Sequence, residues 1–155
     1  MDTVIVSILH LLHIMGAIIW IGGILMILLV VLPGAKSLES AAMTGRLMKE
    51  VARRFTPLAN LSIFILAATG TLLLFYDHNL SIFQDSQGVL LAAKIFLVSG
   101  MVIIHFYRGL LLNPRIEKLS PQDSQTAKLK KFSLNLVKTN FALGIAVLVL
   151  TTIKV

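Results

Sequence analysis

Four apolar stretches, each long enough to cross a hydrocarbon core of ~30 Å at ~1.5 Å of rise per residue, decide what this chain can fold into. They fall at about residues 4–32, 56–77, 88–112 and 132–153,. The segments between them have the opposite character. "PGAKSLESAAMTGRLMKEVARRF" and "NPRIEKLSPQDSQTAKLKK" are charged and carry Gly, Pro and Ser, while "DHNLSIFQDSQG" is short and polar. With 57% of the 155 residues hydrophobic and only 14% charged, the chain lies outside the balance of a soluble domain,. The expected fold is all-α: an integral membrane four-helix bundle, a single domain over 1–155 surrounded by lipid bilayer,.

The first apolar run lacks a positive n-region and a small-residue cleavage site, so it is expected to stay in the mature protein as a membrane helix. The chain has no Cys, which excludes disulfides, thiolate metal sites and iron–sulfur clusters and leaves His, Lys, Met and backbone groups for any ligand chemistry,. Basic residues set the expected orientation. Lys36, Arg46, Lys49, Arg53 and Arg54 lie between the first and second runs, Arg115, Lys118, Lys128, Lys130 and Lys131 between the third and fourth, and the middle connection has neither Lys nor Arg. Loops 33–55 and 113–131 are therefore predicted to be cytoplasmic and both termini to lie on the outer side,. The net charge of +7 reads as this topology signal plus attraction to anionic lipid, and nucleic acid is not a predicted partner,. Two local signals mark helix ends: Thr56-Pro57 as an N-cap with proline in the first turn, and Asn113-Pro114 as a stop,.

Polar residues inside the apolar runs carry the functional question. At ~100° per residue, His13, Gly16, Trp20 and Gly23 share a face of the first helix with His10 at its edge,. One reading is a small-residue packing stripe in which a histidine bonds across to another helix. The other is a bound group, admitted to the backbone by the glycines and held by imidazole, a good ligand for haem iron and for copper. Two histidines at i and i+3 favour the second. In the third helix Lys94, Val98, Met101, His105, Arg108 and Leu112 share one face at helical spacing, a stripe that must face the bundle interior, a cavity or the headgroups,. Arg108 and Lys94 are long enough to snorkel, whereas His105 lies deeper. The second helix lines up Asn60, Phe64, Ala67, Thr71 and His78, of which His78 beside Asp77 reads as a solvated loop residue. In the fourth, Asn135, Lys138, Thr139 and Asn140 do not share a face, and Lys138 is the better candidate on cost,.

The pattern His13-x6-Trp20-x-Gly22-Gly23, "RFTPLANLSIFILAATG" and Lys94-x10-His105-x2-Arg108 resembles the superfamily of small membrane proteins that holds the copper resistance D family and the bacterial four-helix protoporphyrinogen oxidase family. The resemblance covers the first three helices. It implies a helical bundle in a bacterial or archaeal cytoplasmic membrane, with haem b in the oxidase branch and copper handling in the other. His13, Trp20, Lys94 and His105 match the oxidase family's helix 1 histidine and tryptophan and its helix 3 lysine and histidine. After Trp20 the chain departs from that family, with "ILMILLVVLPGAK" in place of an aromatic-rich Pro-Arg-Leu stretch.

The leading expectation is thus a b-type haem protein that transfers electrons or oxidises a small hydrophobic substrate, with a quinone, a porphyrin or a redox protein as partner. His13, His105 and His10 are its candidate metal ligands, Lys94 and Arg108 pair with propionates, and Trp20 packs on the macrocycle. By depth His13 and His105 are staggered by ~10–15 Å, so one haem with a shifted helix and two separate sites both stay open. The alternative is a copper-binding or copper-transport protein using His10 and His13 with Met15, Met26 and Met101. A non-catalytic assembly subunit is the third reading, and a homo-oligomer is compatible with all three.

Overall fold

The computed structural model describes residues 2–76, 86–120 and 123–153. Its elements are all helical: α1 (Asp2–Met26), a π-helical turn π1 (Ile27–Val31), α2 (Leu32–Lys36), α3 (Ala41–Tyr76), α4 (Ser86–Phe106), a second π-helical turn π2 (Tyr107–Leu112), α5 (Asn113–Glu117) and α6 (Ser124–Thr152). Among the described residues four continuous helical stretches, Thr3–Lys36, Ala42–Tyr76, Gly88–Glu117 and Ser124–Thr152, are long and apolar enough to cross a membrane. The chain is an all-α integral membrane protein, as its composition demands.

The helices run further than the prolines suggest. Pro57 does not open a helix but sits inside α3, which starts at Ala41 with Ser40 Oγ accepting the Met43 N–H at 3.1 Å. The turns ahead of Pro57 hold together through good helix formers and a local ion pair, in which Arg53 and Arg54 both donate to the Glu50 carboxylate at 2.7 Å,. Asn113-Pro114 does not stop the third helix either. The Asn113 N–H bonds five residues back to the Arg108 carbonyl, and the Leu32 N–H does the same to Ile27 just before Pro33. A proline in an α-helix clashes with the carbonyl four residues back and donates nothing; a π turn widens the ladder at that point and lets the helix continue. The segments expected as loops 33–55 and 113–131 are accordingly mostly helical.

Contacts divide the chain into two compact units, Met1–Asp85 and Ser86–Val155. In the first, α1 packs antiparallel on α3: His13 meets Thr69, Gly16 lies against Leu66 and Gly23 against Phe55. Trp20 and Ile24 of α1, Ala35 of α2, and Ala59, Ser62, Ile63 and Thr69 of α3 are buried. The corner between α2 and α3 is tied by Thr44 Oγ1 donating to the Ala35 carbonyl at 2.7 Å. In the second unit α4 packs antiparallel on α6, with Arg108 on Ser133 and Gly100 facing Leu143. Met101, Leu112, Thr126, Ser133, Asn140 and Gly144 are buried. Asp123 caps α6 by accepting the Gln125 N–H at 2.8 Å, and Thr126 Oγ1 donates to the Ser120 carbonyl at 2.7 Å. Both seams rely on small and polar side chains, while Phe64, Phe75, Phe96 and Leu110 are 70–78% exposed. That inversion of the soluble pattern is what a lipid solvent produces, since apolar surface gains nothing by leaving it.

Candidate functional site

The α1–α3 seam is built around His13. Its Nδ1 lies 2.8 Å from Thr69 Oγ1, while the same oxygen lies 2.6 Å from the Ile65 carbonyl four residues back on α3. A hydroxyl has one proton, and here the carbonyl takes it. The Thr69 oxygen can therefore only accept from His13, so Nδ1 carries the imidazole proton and the lone pair of the neutral ring is at Nε2. Gly70 makes room for this arrangement: a Cβ there would come within 3.3 Å of His13 Cε1. His13 is half-buried, and His10, one turn earlier, is exposed. Residues three apart on a helix are surface neighbours, with Cβ atoms ~5–6 Å apart.

The glycines of α1 have a different role from the one expected of them. A Cβ at Gly16 would sit 3.1 Å from Leu66 Cγ, and one at Gly23 would run into the ring of Phe55. They seat side chains of α3 and leave no slot for a flat ligand at those positions. Trp20 is 1% exposed, so its ring is enclosed by protein with no open face for a macrocycle. Met15 and Met26 are exposed, away from the seam, and Met101 is sealed in the second unit. Among the described residues no group of three or more His, Cys, Asp or Glu converges on a metal position.

On α3 the face expected from Asn60, Phe64, Ala67 and Thr71 is exposed; the seam is made by Ala59, Ser62, Ile63 and Thr69 instead. The α4 stripe fares better: Met101 and Leu112 are buried, Val98, Lys94 and His105 half-buried, and Arg108 donates from Nε to Ser133 Oγ at 3.2 Å. The His105 ring stands edge-on to Phe106, with ring centres 5.4 Å apart. On α6 Lys138 is exposed and Asn140 is 4% exposed, with an Oδ1 that has no hydrogen-bond partner among the described residues. His78 lies outside the described residues. Thr69 and Ser133 escaped the sequence reading, which named Asn140 but preferred Lys138. The seven-residue spacing of Ser133 and Asn140, two helical turns, is a signal that would have paired them,.

These features define an all-helical integral membrane protein with an oriented imidazole in one helix seam and a guanidinium in the other. The chain matches the family Copper resistance protein D over residues 49–154, well over half its length, and it belongs to that family. The match takes in α4, with Lys94, His105 and Arg108, and the whole of α6; α1, with His10, His13 and Trp20, precedes it. No curated protein and no solved structure matches the chain. Nothing in these comparisons supports the protoporphyrinogen oxidase branch, and the expectation of haem b loses its footing with it.

Proposed function

We propose that the protein handles copper within the membrane, with the ion as cargo and His13 as its principal ligand. The observation that carries this is the Thr69 hydrogen bond, which holds the imidazole in one tautomer and leaves Nε2 as a ready donor. A partner on the far nitrogen is the usual support of a metal-binding histidine, fixing ring orientation and raising basicity. His10 supplies a second imidazole from the same helix, one turn away. Two imidazole nitrogen donors suit copper better than a hard ion such as calcium, which takes oxygen ligands.

The test is copper binding by the purified full-length protein, set against a chelator of known affinity, together with its optical spectrum. The reading expects bound copper in a colourless preparation from haem-replete cells, and its loss in His13→Ala. A b-type Soret band with no copper would overturn it in favour of the haem reading, since the same Nε2 lone pair can ligate haem iron. Unchanged copper binding in His13→Ala would move the ligand elsewhere.

A further inference from the structure

Unit 2 contains a polar arrangement that copper handling does not use. Arg108 lies inside the apolar stretch that ends at Glu117, about 14 Å short of that end at helical rise,. Side chains on a helix lean toward its N-terminus, so Arg108 leans into the span, away from the headgroup layer near Glu117. Snorkelling to that layer would require it to reverse. Its Nε is committed to Ser133, and among the described residues no carboxylate pairs with it.

Ser133 differs from its counterparts in the other seam. Ser62 and Thr69 each return the hydroxyl proton to the carbonyl four residues back, at 2.8 and 2.6 Å. Ser133 is 8% exposed, receives the Arg108 N–H, and makes no such return bond among the described residues. Its O–H is left to donate. Together the two terminal NH2 groups of Arg108 and the Ser133 hydroxyl present hydrogen-bond donors with a positive charge and, among the described residues, no acceptor,. The other buried residues described in this unit, Met101, Leu112, Thr126, Asn140 and Gly144, include no anion.

We propose that this seam is an oxyanion site, in which the guanidinium fork and the Ser133 hydroxyl hold a phosphate group. A guanidinium matches phosphate with two parallel N–H···O bonds, and in a low-dielectric setting such charge-assisted bonds are the strong ones. The phosphate belongs either to the head of an anionic lipid or to free inorganic phosphate. The proposal is independent of the copper reading, and a site of this charge repels a metal cation.

The experiment is lipid retention by the full-length protein, followed by native mass spectrometry during delipidation from mixed phosphatidylglycerol and phosphatidylcholine, with and without inorganic phosphate. The wild type is expected to keep one phosphatidylglycerol per chain in preference to phosphatidylcholine. Arg108→Gln should weaken that retention by roughly tenfold or more, and Ser133→Ala by several-fold, as expected for bonds to a charged group. Lys138→Gln, which removes an exposed charge from α6, should leave it unchanged. If millimolar phosphate displaces the lipid, or binds in its place, the site stands and its ligand comes from solution. No preference for phosphatidylglycerol together with no phosphate binding overturns the proposal, as does equal retention in wild type and Ser133→Ala, a variant mild enough to fold where Arg108→Gln does not.

Discussion

Thr69 governs what His13 can do without touching any ligand itself. Replacing it with Val keeps the shape but removes the oxygen that receives the Nδ1 proton. The ring then loses both its tautomer and its orientation, and copper affinity is expected to fall by roughly 10–100-fold, with recovery in Thr69→Ser. Stability should change little, since an interhelical hydrogen bond in a membrane protein is worth about 0.6 kcal/mol. Chelator competition and thermal unfolding in one detergent separate the two effects. Asn140 tests the opposite situation, a buried acceptor with no donor among the described residues. Asn140→Leu removes a group whose desolvation goes uncompensated, by about 1–3 kcal/mol on the usual scale, and the expected outcome is a higher melting temperature. A lower one would mean that a bound molecule supplies the missing donor in the native protein.

At the level of helices, the α1–α3 seam depends on close approach at particular glycines. Gly23→Leu would drive a side chain into Phe55, and overpacking of that kind costs about 1–3 kcal/mol,. Gly22, one residue away, has open space where a Cβ would stand, with no neighbouring atom within 4 Å, so Gly22→Leu should be near neutral in the same melting assay. The difference between these neighbours shows what a sequence can disclose here. Four apolar runs and the α4 stripe from Lys94 to Leu112 were legible because charge and length stand out against hydrocarbon. The seam face of α3 was not. When lipid-facing and protein-facing positions are both apolar, periodicity has no contrast to report, and the conspicuous polar residue Asn60 drew attention to the exposed side. Small residues such as Ala59, Ser62 and Gly70 mark the seam better than hydropathy does,. The helix ends were misjudged for a related reason: Pro33, Pro57 and Pro114 break helices in water more often than they do where π turns and neighbouring helices absorb the lost bond,. The proton placement at His13 was not legible, because it rests on the distances from the Thr69 oxygen to the Ile65 carbonyl and to the imidazole.

For the molecule as a whole, the distribution of Lys and Arg makes a prediction about sidedness. Reporter fusions at Ser37 and Gln122 are expected to read cytoplasmic and one at Gln84 external, given basic residues in the first and third connections and none in the second,. The reverse pattern would turn the protein over. A final consequence concerns the 36 residues of α3, about 54 Å of helix against a hydrocarbon core of about 30 Å,. Tilt alone cannot absorb so large a surplus, so the turns bearing Arg46, Lys49, Arg53 and Arg54 are expected to stand beyond the acyl chains, and α3 can shift along the membrane normal together with α1 as thickness changes,. The protein should therefore be indifferent to acyl-chain length over a range that would force a helix cut to the membrane's width to bend.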